Sequence, residues 1–570
     1  MFNRLHSLLC VLIFALPPSR SVASPGTQPF CRCFPGDPCW PSEPAWNALN
    51  RTIGGNLIQT VPLANVCHGK HYNQQACDNL KATWFEPVTH YQSSSSVMAP
   101  FFTNNSCNPF LSRQSPCIVG AYTQYAVNAT SVSHYQATLK FAAQHNIRLV
   151  IRNTGHDFLG KSTGPGALAL WTHSFKKIDV LDYKSPHYNG PALRITAGVQ
   201  LMDAYQAAHD SGLVVVGGTC PTVGVAGGYT QGAGHGLLAS SLGLGADQAL
   251  EWEVVTSDGV FRRASPSINP DLYWALTGGG GGTYGLVVAL TVRAYPDRTT
   301  SAANLTFSNE GVSQDTFFEG IRAYVIGLPS VLDAGATSIW FNTNKTFTLS
   351  PAVGFGMTKK ALDALHQPVL DKLDSLNVSY VYISREYPTY LDMFNAMNPF
   401  TETAIYQIGS RLIPRKVVLD NFAKSFIATL REISTIDGGI ILGPSFHVSK
   451  PPPVPNAVNP AFRDALVNLV VATLYDYLHP EANLANQKLM TDTIVPRLKK
   501  IIPGGGYAYL NEADPWEPEW RTVFYGDNYN KLLGIKNKYD PDQILYARTA
   551  VGSDSWVESA DGRLCQVRTG

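Results

Sequence analysis

A histidine lies inside a glycine-rich turn that directly follows a short apolar strand. The predicted strand, Ile147–Arg152, runs into a turn that contains His156 and is rich in Gly, Ser and Thr as far as Gly164. Consecutive backbone N–H groups in such a turn can form a nest that binds a pyrophosphate. The spacing matches neither the P-loop nor the Gly-x-Gly-x-x-Gly fingerprint. The turn indicates an anionic ligand beside His156, and the alternative is a structural histidine bonded to the backbone.

A second stretch, Gly217–Gly236, contains eight glycines in twenty residues. Glycine has no Cβ, so such a backbone can approach a large flat ligand closely and adopt positive φ. Cys220 lies near the start of this stretch and adds a nucleophilic sulfur next to that ligand. A third run, Gly278–Gly282, leads into a predicted strand, although a glycine run alone is also typical of a flexible linker. Together the three stretches predict one site for a flat, anionic ligand.

Cysteine usage sets Cys220 apart from the rest of the chain. The sequence has ten cysteines, of which Cys10 lies in an N-terminal targeting segment. An even set of eight remains beside Cys220 and is compatible with four disulfides in an oxidising compartment, with the connectivity left open. A leftover cysteine in an exported protein needs a separate explanation. The eight are Cys31, Cys33, Cys39, Cys67, Cys77, Cys107, Cys117 and Cys565.

The N-terminus indicates export. Residues 1–23 combine Arg4, a short apolar run and the small-residue cleavage site Ser21–Ala23, which is typical of a signal peptide. The run is shorter than the about 20 residues that span a bilayer, so a retained anchor or a buried helix is the less favoured alternative. No later stretch is predicted to cross a membrane. Six N-glycosylation sequons agree with export: Asn50, Asn104, Asn128, Asn304, Asn344 and Asn377.

The net charge of +1, without a dense basic face, argues against a nucleic-acid partner. The hydrophobic pattern around the motifs indicates alternating helices and strands. The predicted helices are Tyr135–Asn146, Leu201–Ser211, Asn421–Glu432, Asn459–Leu478 and Asn530–Lys538. The further predicted strands are Leu168–Trp171, Leu193–Ala197, Val214–Val216, Ala249–Thr256, Gly285–Ala294, Val378–Ser384 and Thr403–Ser410.

These motifs resemble the FAD-binding fold of the vanillyl-alcohol oxidase / p-cresol methylhydroxylase (PCMH) group. The likeness covers Ile118–Pro296 and the tail Tyr525–Tyr546, roughly a third of the chain, and is nearest to secreted fungal members of the berberine-bridge-enzyme-like branch, which include isoamyl-alcohol-oxidase-like proteins. The resemblance implies an α+β fold. A Cys-rich extension (24–114) would precede a two-part PCMH-type FAD-binding domain (115–298), a separate α+β substrate domain over the flavin (299–504) and a segment that returns to the FAD domain (505–570).

The resemblance also implies how FAD is held. In that branch a histidine bonds the flavin 8α-methyl and a cysteine bonds flavin C6, and the matching positions are His156 and Cys220. The pair Asn528 and Tyr529 is expected near the isoalloxazine ring. The remaining expected FAD contacts are Arg152, Asn153, Thr154, Gly155, Asp157, Gly160, Ser162, Thr219, Gly224, Gly227, Gly228, Gly232, Gly234, His235, Gly236, Gly285 and Val287.

The sequence departs from its relatives at three places. Tyr229 stands where plant relatives have His after paired glycines, and Ala233 interrupts a triple glycine. Gly438–Gly443 lacks the catalytic carboxylate that some relatives carry after a Gly-Gly pair, so the base is absent there or comes from elsewhere.

The predicted reaction is oxidation of an alcohol of a small organic, secondary-metabolite substrate to a carbonyl, with O2 reduced to H2O2. Hydride would pass to the flavin, and a base would take the hydroxyl proton. The base candidates are His447, Tyr406, Tyr475 and Tyr525; Arg411 and Arg415 could steady an anionic flavin or pair with surface carboxylates. A carbohydrate oxidase, an oxidative C–C or C–N coupling enzyme and a non-catalytic flavin-binding protein are the alternatives. No metal site is predicted.

Overall fold

The computed structural model describes residues 30–398, 402–436 and 439–567, so the predicted signal peptide lies outside the described residues. Its strands are β1 Leu57–Gln59, β2 Tyr125–Asn128, β3 Leu149–Arg152, β4 Leu168–Trp171, β5 Ile178–Ser185, β6 Tyr188–Thr196, β7 Leu213–Val214, β8 Ala249–Val255, β9 Phe261–Ala264, β10 Leu286–Arg293, β11 Tyr295–Pro296, β12 Thr300–Ser308, β13 Thr337–Asn342, β14 Thr346–Phe355, β15 Tyr380–Tyr387, β16 Tyr406–Pro414, β17 Ile440–Ser445, β18 Ala465–Leu474, β19 Trp556–Glu558 and β20 Leu564–Gln566.

The α-helices connect and cover these strands. They are α1 Glu43–Thr52, α2 Gln74–Ala82, α3 Pro87–Tyr91, α4 Val132–Gln144, α5 Leu201–His209, α6 Thr230–Gly232, α7 Ala239–Leu242, α8 Pro270–Leu276, α9 Gln314–Asp333, α10 Lys359–Ser375, α11 Tyr390–Met397, α12 Arg415–Val418, α13 Asp420–Ser434, α14 Ala482–Leu489, α15 Val495–Ile501, α16 Trp520–Tyr525 and α17 Tyr529–Tyr539.

The first sheet positions the His156 turn. Its strand order is β1-β2-β4-β3, with β2, β4 and β3 parallel and β1 antiparallel at the edge. Leu149, Leu168 and Leu170 are buried in one core with Leu139 of α4, as expected for a parallel sheet covered by a helix. Strand β3 ends at Arg152 and the turn follows immediately, so the sheet fixes the start of the turn that carries His156.

The second sheet carries the third glycine run. It is antiparallel with the order β5-β6-β10-β8-β9. Three residues separate the run Gly278–Gly282 from the central strand β10, whose residues from Leu286 to Val292 are buried. Because β10 is hydrogen-bonded to β6 on one side and to β8 on the other, the position at which the glycine loop joins the sheet is fixed.

The third sheet faces the first two across a cavity. It is antiparallel, with seven strands in the order β15-β12-β14-β13-β17-β18-β16. Apolar side chains of α9, α10, α13 and α15 fill its core, among them Phe317, Leu373, Phe426 and Leu498. The molecule therefore has the α+β architecture that the sequence predicts.

Most predicted elements are found with shifted ends, but the predicted helix Asn459–Leu478 is wrong. The structure has a short 3-10 turn, Pro460–Arg463, followed by the ten-residue strand β18. The segment ALVNLVVATL is rich in β-branched residues, and all but its last residue are buried between β16 and β17. A strand buried on both faces shows a continuous apolar run that periodicity alone cannot distinguish from a helix.

The two ends of the chain pack onto the first sheet. Leu57–Gln59, within the predicted Cys-rich extension, forms the edge strand β1, and Leu545 near the C-terminus bridges to Leu149. Within the described part of the chain, no helix has the length and apolarity that a bilayer crossing requires. The four predicted disulfides are present as Cys31–Cys565, Cys33–Cys39, Cys67–Cys77 and Cys107–Cys117.

Candidate functional site

One large cavity, of about 800 Å³, lies between the glycine loops and the seven-stranded sheet. Its size lies within the range of small-molecule and cofactor sites, roughly 300–1,000 Å³. It brings together many residues predicted to contact FAD. They are Asn153, Thr154, Gly155, His156, Asp157, Ser162, Thr219, Cys220, Gly224, Gly227, Gly228, His235, Gly285 and Val287.

His156 and Cys220 meet on the wall of this cavity although they lie 64 positions apart in the sequence. His156 Nε2 lies 3.9 Å from Cys220 Sγ and 2.7 Å from Thr222 Oγ1. Cys220 is the free cysteine among the described residues, as the cysteine count predicts. The two side chains that can act as nucleophiles therefore face the same small volume.

Burial controls the protonation of both groups. It lowers the pKa of His156 to about 3, with a smaller contribution from the nearby His90, so the imidazole is neutral and keeps a lone pair at ordinary pH. Burial also raises the pKa of Cys220, a shift that the hydrogen bond with Thr222 partly opposes. The thiol is thus protonated at neutral pH and needs a base before it can attack.

The glycines serve two different purposes. A Cβ on Gly227 or Gly228 would project into the cavity, since its nearest neighbours there are the side-chain amides of Asn153 at 3.8 Å and Asn511 at 3.7 Å. Four predicted contact glycines lie outside the cavity wall, and in each the space of a Cβ is filled by protein. A Cβ on Gly160 would meet the ring of Phe102, and one on Gly234 would meet the ring of Tyr229. A Cβ on Gly232 would meet the Asn511 side chain, and one on Gly236 would meet Gly217 O.

The cavity wall fits FAD. Four residues of the wall have a buried polar side-chain atom without a hydrogen-bond partner: Asn153 Oδ1, Gln231 Oε1, the Tyr229 hydroxyl and Lys161 Nζ, which lies 3.6 Å from Asp157 Oδ1 as an ion pair. An unpaired buried polar atom is costly, so it indicates a ligand that completes the bond. An amide oxygen suits an N–H of the flavin ring, and an ammonium suits a phosphate. The open glycine backbone at Gly227 and Gly228 leaves room for a flat ring system.

The structure places Arg152 outside the cavity. Its buried guanidinium donates to the backbone carbonyls of His90, Ser93 and Ser96 in the N-terminal segment. Asn528 and Tyr529 also lie elsewhere: Asn528 Nδ2 donates to the carbonyls of Ala457 and Val458, and the Tyr529 hydroxyl donates to Asp554. Neither Asn528 nor Tyr529 lines the cavity.

A different part of the C-terminal segment lines the cavity. Tyr509, Asn511 and Glu512 contribute to the wall. Asn511 Nδ2 donates to Gly228 O and to the Tyr509 hydroxyl, both at 2.7 Å, and the Gly234 N–H donates to the same hydroxyl at 3.2 Å. Sequence analysis missed these residues; the only signal was the polar pair Asn511-Glu512 directly after the short run Tyr507–Leu510.

Of the four base candidates, only Tyr406 lines the cavity. His447 Nδ1 pairs with Asp333 at 2.9 Å, and the Tyr525 hydroxyl donates to Thr549 O at 2.9 Å. Tyr475 packs against Tyr477 beyond the cavity wall. Burial raises the pKa of Tyr406, so its phenolate form is scarce at neutral pH.

The two arginines suggested for charge stabilisation are paired with carboxylates. Arg411 forms a fully buried ion pair with Glu517, and Arg415 donates to Asp333 at 2.7 Å on the surface. Neither lines the cavity in the described structure.

Four neighbouring strands close the cavity with an apolar wall. Cross-strand pairs put the side chains on one face: Ile339 lies opposite Pro444, Phe341 opposite Leu442, and Leu442 opposite Val470. The apolar wall consists of Ile339, Phe341, Ile408, Ile440, Leu442, Pro444, Val470 and Ala472. Such a surface gains free energy by covering apolar groups and offers almost no hydrogen bonds.

Comparison with known proteins agrees with this geometry. A family profile described as "FAD binding domain" matches residues 123–265, and one described as "Berberine and berberine like" matches residues 508–552. The FAD-linked oxidoreductase sor8 of Hypocrea jecorina is 48% identical over 548 residues, which are 96% of this chain and 95% of that protein. The VAO-type flavoprotein oxidase VAO615 of Thermothelomyces thermophilus is 42% identical over 552 residues, 95% of this chain and 96% of that protein.

The fold is also similar to a solved structure. The crystal structure of the VAO-type flavoprotein MtVAO615 from Myceliophthora thermophila C1 has a TM-score of 0.90 and 41% identity. The match covers 94% of this chain and all of that one.

Proposed function

Since the chain belongs to the VAO-type FAD-linked oxidoreductases, we propose that it is a secreted oxidase that converts an alcohol of a small apolar molecule to a carbonyl and reduces O2 to H2O2. The observation that carries the proposal is the meeting of His156 and Cys220, 3.9 Å apart, on the wall of a cavity that fits FAD.

In this proposal FAD is attached twice, through His156 to the 8α-methyl and through Cys220 to C6. The neutral imidazole and the unpaired sulfur are both able to form such bonds. Two links would keep the cofactor from being lost into dilute medium. They would also fix the ring against the glycine loops, with Asn153 and Gln231 bonding to polar groups of the ring and Lys161 pairing with the phosphates.

Bound FAD supplies the two-electron oxidant. The protein holds the apolar body of the alcohol against the apolar wall, where water is excluded, and the polar corner formed by Tyr509, Asn511 and Glu512 receives the hydroxyl. Tyr406 is the one sequence-predicted base that could reach the substrate. A group in this corner must take the hydroxyl proton as the C–H bond breaks.

The apolar wall favours an alcohol over a sugar, because a sugar presents hydroxyls on every side that would lose their bonds to water. The carbohydrate oxidase remains the second candidate only through the shared fold. A non-catalytic flavin carrier would retain FAD but form no peroxide with any substrate.

Export and glycosylation belong to the same proposal. Four disulfides fit an oxidising compartment. Among the six sequons, Asn104, Asn344 and Asn377 have exposed side chains. Asn128 and Asn304 have buried side-chain oxygens without partners, so they offer poorer access to a glycosyltransferase.

The test is acid precipitation of the purified protein followed by flavin absorbance of the pellet. We expect colour in the pellet for the wild type, His156→Ala and Cys220→Ala, and free flavin in the supernatant for the double variant. His187→Ala, an exposed histidine, is the matched control and should behave like the wild type. Free flavin from the wild type would contradict the double attachment. A peroxide-coupled screen of alcohols and sugars then tests the reaction.

A further inference from the structure

A carboxylate, an imidazole and an amide form a connected group on the cavity wall. His235 Nε2 lies 3.1 Å from both Glu512 Oε1 and Glu512 Oε2, and Asn468 Nδ2 donates to Glu512 Oε2 at 2.6 Å. Glu512 and His235 both line the cavity. About a quarter of the Glu512 side chain is exposed (25%).

The bonding pattern leaves one carboxylate oxygen able to accept a proton. An ionised carboxylate only accepts hydrogen bonds, so the hydrogen between His235 and Glu512 lies on Nε2. Oε2 receives bonds from two donors, His235 and Asn468, whereas Oε1 receives one, from His235. Oε1 therefore keeps acceptor capacity for a hydroxyl in the cavity.

Packing fixes the imidazole in this position. The His235 ring stacks on Phe446 with a centroid distance of 5.6 Å and meets the edge of Tyr509 at 5.4 Å. Glu512 follows Asn511, which is anchored to Gly228 O. The pair is thus held between the second glycine stretch and the C-terminal segment, the two elements that would flank a bound ring.

The other candidates are less suited to accept a proton. Burial raises the pKa of Tyr406 and of Tyr509, and the Tyr509 hydroxyl already accepts two hydrogen bonds. Asp157 uses Oδ2 to accept the N–H groups of Leu159 and Lys161. Glu402 also contributes to the lining but is exposed to solvent.

We propose that Glu512 is the catalytic base of the alcohol oxidation and that His235 is its positioning residue. The substrate O–H bond breaks and its proton passes to Glu512 Oε1. The C–H bond on the carbon that bears this hydroxyl would break with both electrons as the C=O bond forms, and FAD bound in the cavity would supply the two-electron acceptor. The assignment rests on the proposed alcohol oxidase function. It replaces the base candidates from the sequence, which are His447, Tyr406, Tyr475 and Tyr525, with a residue that sequence analysis missed.

The first measurement is stopped-flow reduction of the bound flavin under anaerobic conditions, with the alcohol that releases peroxide fastest in the screen. We expect Glu512→Gln to slow flavin reduction by about 100-fold or more, the usual effect of losing a general base. Glu512→Asp, which keeps a carboxylate in a shifted position, should slow it by about tenfold. Tyr406→Phe should slow it less than Glu512→Gln does. The surface variant Glu319→Gln is the matched control.

The second measurement needs no alcohol. Sulfite is an anion that adds reversibly to oxidised flavin and bleaches it, so its affinity reports charge next to the ring. We expect Glu512→Gln to bind sulfite at least about threefold more tightly than the wild type, because a nearby negative charge is removed. Glu319→Gln should leave the sulfite affinity unchanged.

The two measurements separate the possible failures. Flavin reduction in Glu512→Gln as fast as in the wild type would overturn the assignment, and so would an unchanged sulfite affinity. If Tyr406→Phe loses more rate than Glu512→Gln, the base is Tyr406. If no alcohol reduces the wild-type flavin, the proposed function is wrong, while the sulfite titration still decides whether an anionic Glu512 faces the ring.

Discussion

At the scale of single residues, Arg152 connects the N-terminal segment to the cofactor cavity. Its guanidinium donates to three backbone carbonyls, those of His90, Ser93 and Ser96, and has no carboxylate partner among the described residues. Burial lowers its pKa to about 9, so it still carries its charge at neutral pH. Met98, two residues after Ser96, donates its N–H to the carbonyl of Gly155, which directly precedes His156. Arg152 thereby holds the residues before Met98, which in turn bonds to the turn that carries His156.

We expect Arg152→Met to lower the free energy of unfolding by about 3 kcal/mol, since each of three buried carbonyls that loses its donor costs roughly 1 kcal/mol. Denaturant titration followed by tryptophan fluorescence measures the change. Arg51→Met, at an exposed helix position, removes the same charge without a buried partner and should change stability by less than about 0.5 kcal/mol. Equal losses in the two variants would show that the carbonyls find other donors.

The residue scale also separates what the sequence could predict from what it could not. His156 and Cys220 each lie in a local glycine context, and the cysteine count isolates Cys220, so both could be singled out before the fold was known. Glu512 has no such context. It meets His235 across 277 residues, and only the fold brings the two together. A contact between distant residues leaves no periodic or compositional pattern in either segment.

At the scale of elements, glycines in turns made the helices and strands of the first half of the chain predictable. Glycine loops mark the ends of β3, β10 and α5, so helices and strands there were found with small shifts. The segment 459–478 lacked that punctuation inside it, and its apolar run was predicted as a helix. The difference matters for the candidate site, because Val470 and Ala472 of β18 belong to the apolar wall.

The apolar wall leads to a prediction about substrate preference. For linear primary alcohols, kcat/KM should rise about threefold to fourfold per added methylene until the wall is covered, since each buried CH2 contributes about 0.8 kcal/mol. Val470→Asn should flatten this dependence, because an amide would be left without a partner against an apolar chain. Peroxide release across the alcohol series, with glucose and cellobiose for comparison, measures both effects.

Val381→Asn is the matched control for the wall, since Val381 is 60% exposed on the edge strand β15. It should leave the slope against chain length unchanged. A flat slope in the wild type, or faster oxidation of the sugars than of any alcohol, would contradict an apolar substrate and favour the carbohydrate oxidase.

At the scale of the whole molecule, the chain ends hold the two halves of the site together. Trp84 Nε1 donates to the Tyr477 hydroxyl and the Thr403 N–H donates to Phe85 O. The N-terminal segment therefore contacts the residues just before β16 and just after β18, in addition to Arg152 at the end of β3. Tyr546 and Ala547 of the C-terminal segment line the cavity. Composition could predict that the N-terminal segment is rich in disulfides, but it carried no information on where either end packs.

The disulfide Cys31–Cys565 joins these two ends across 534 residues, whereas Cys67–Cys77 closes a short loop with a separation of 10. If the disulfides act mainly by limiting the unfolded chain, the longer loop contributes more, about 6 kcal/mol against about 3 kcal/mol for the short one. We therefore expect Cys31→Ala/Cys565→Ala to lower the unfolding midpoint in guanidinium further than Cys67→Ala/Cys77→Ala does. The first variant should also expose the C-terminal segment to limited proteolysis, since Leu545, Tyr546 and Ala547 lie between that disulfide and α17. Equal losses in both variants, with the tail still protected, would mean that packing of the tail on the first sheet, rather than the covalent closure of the chain, keeps the cavity wall in place.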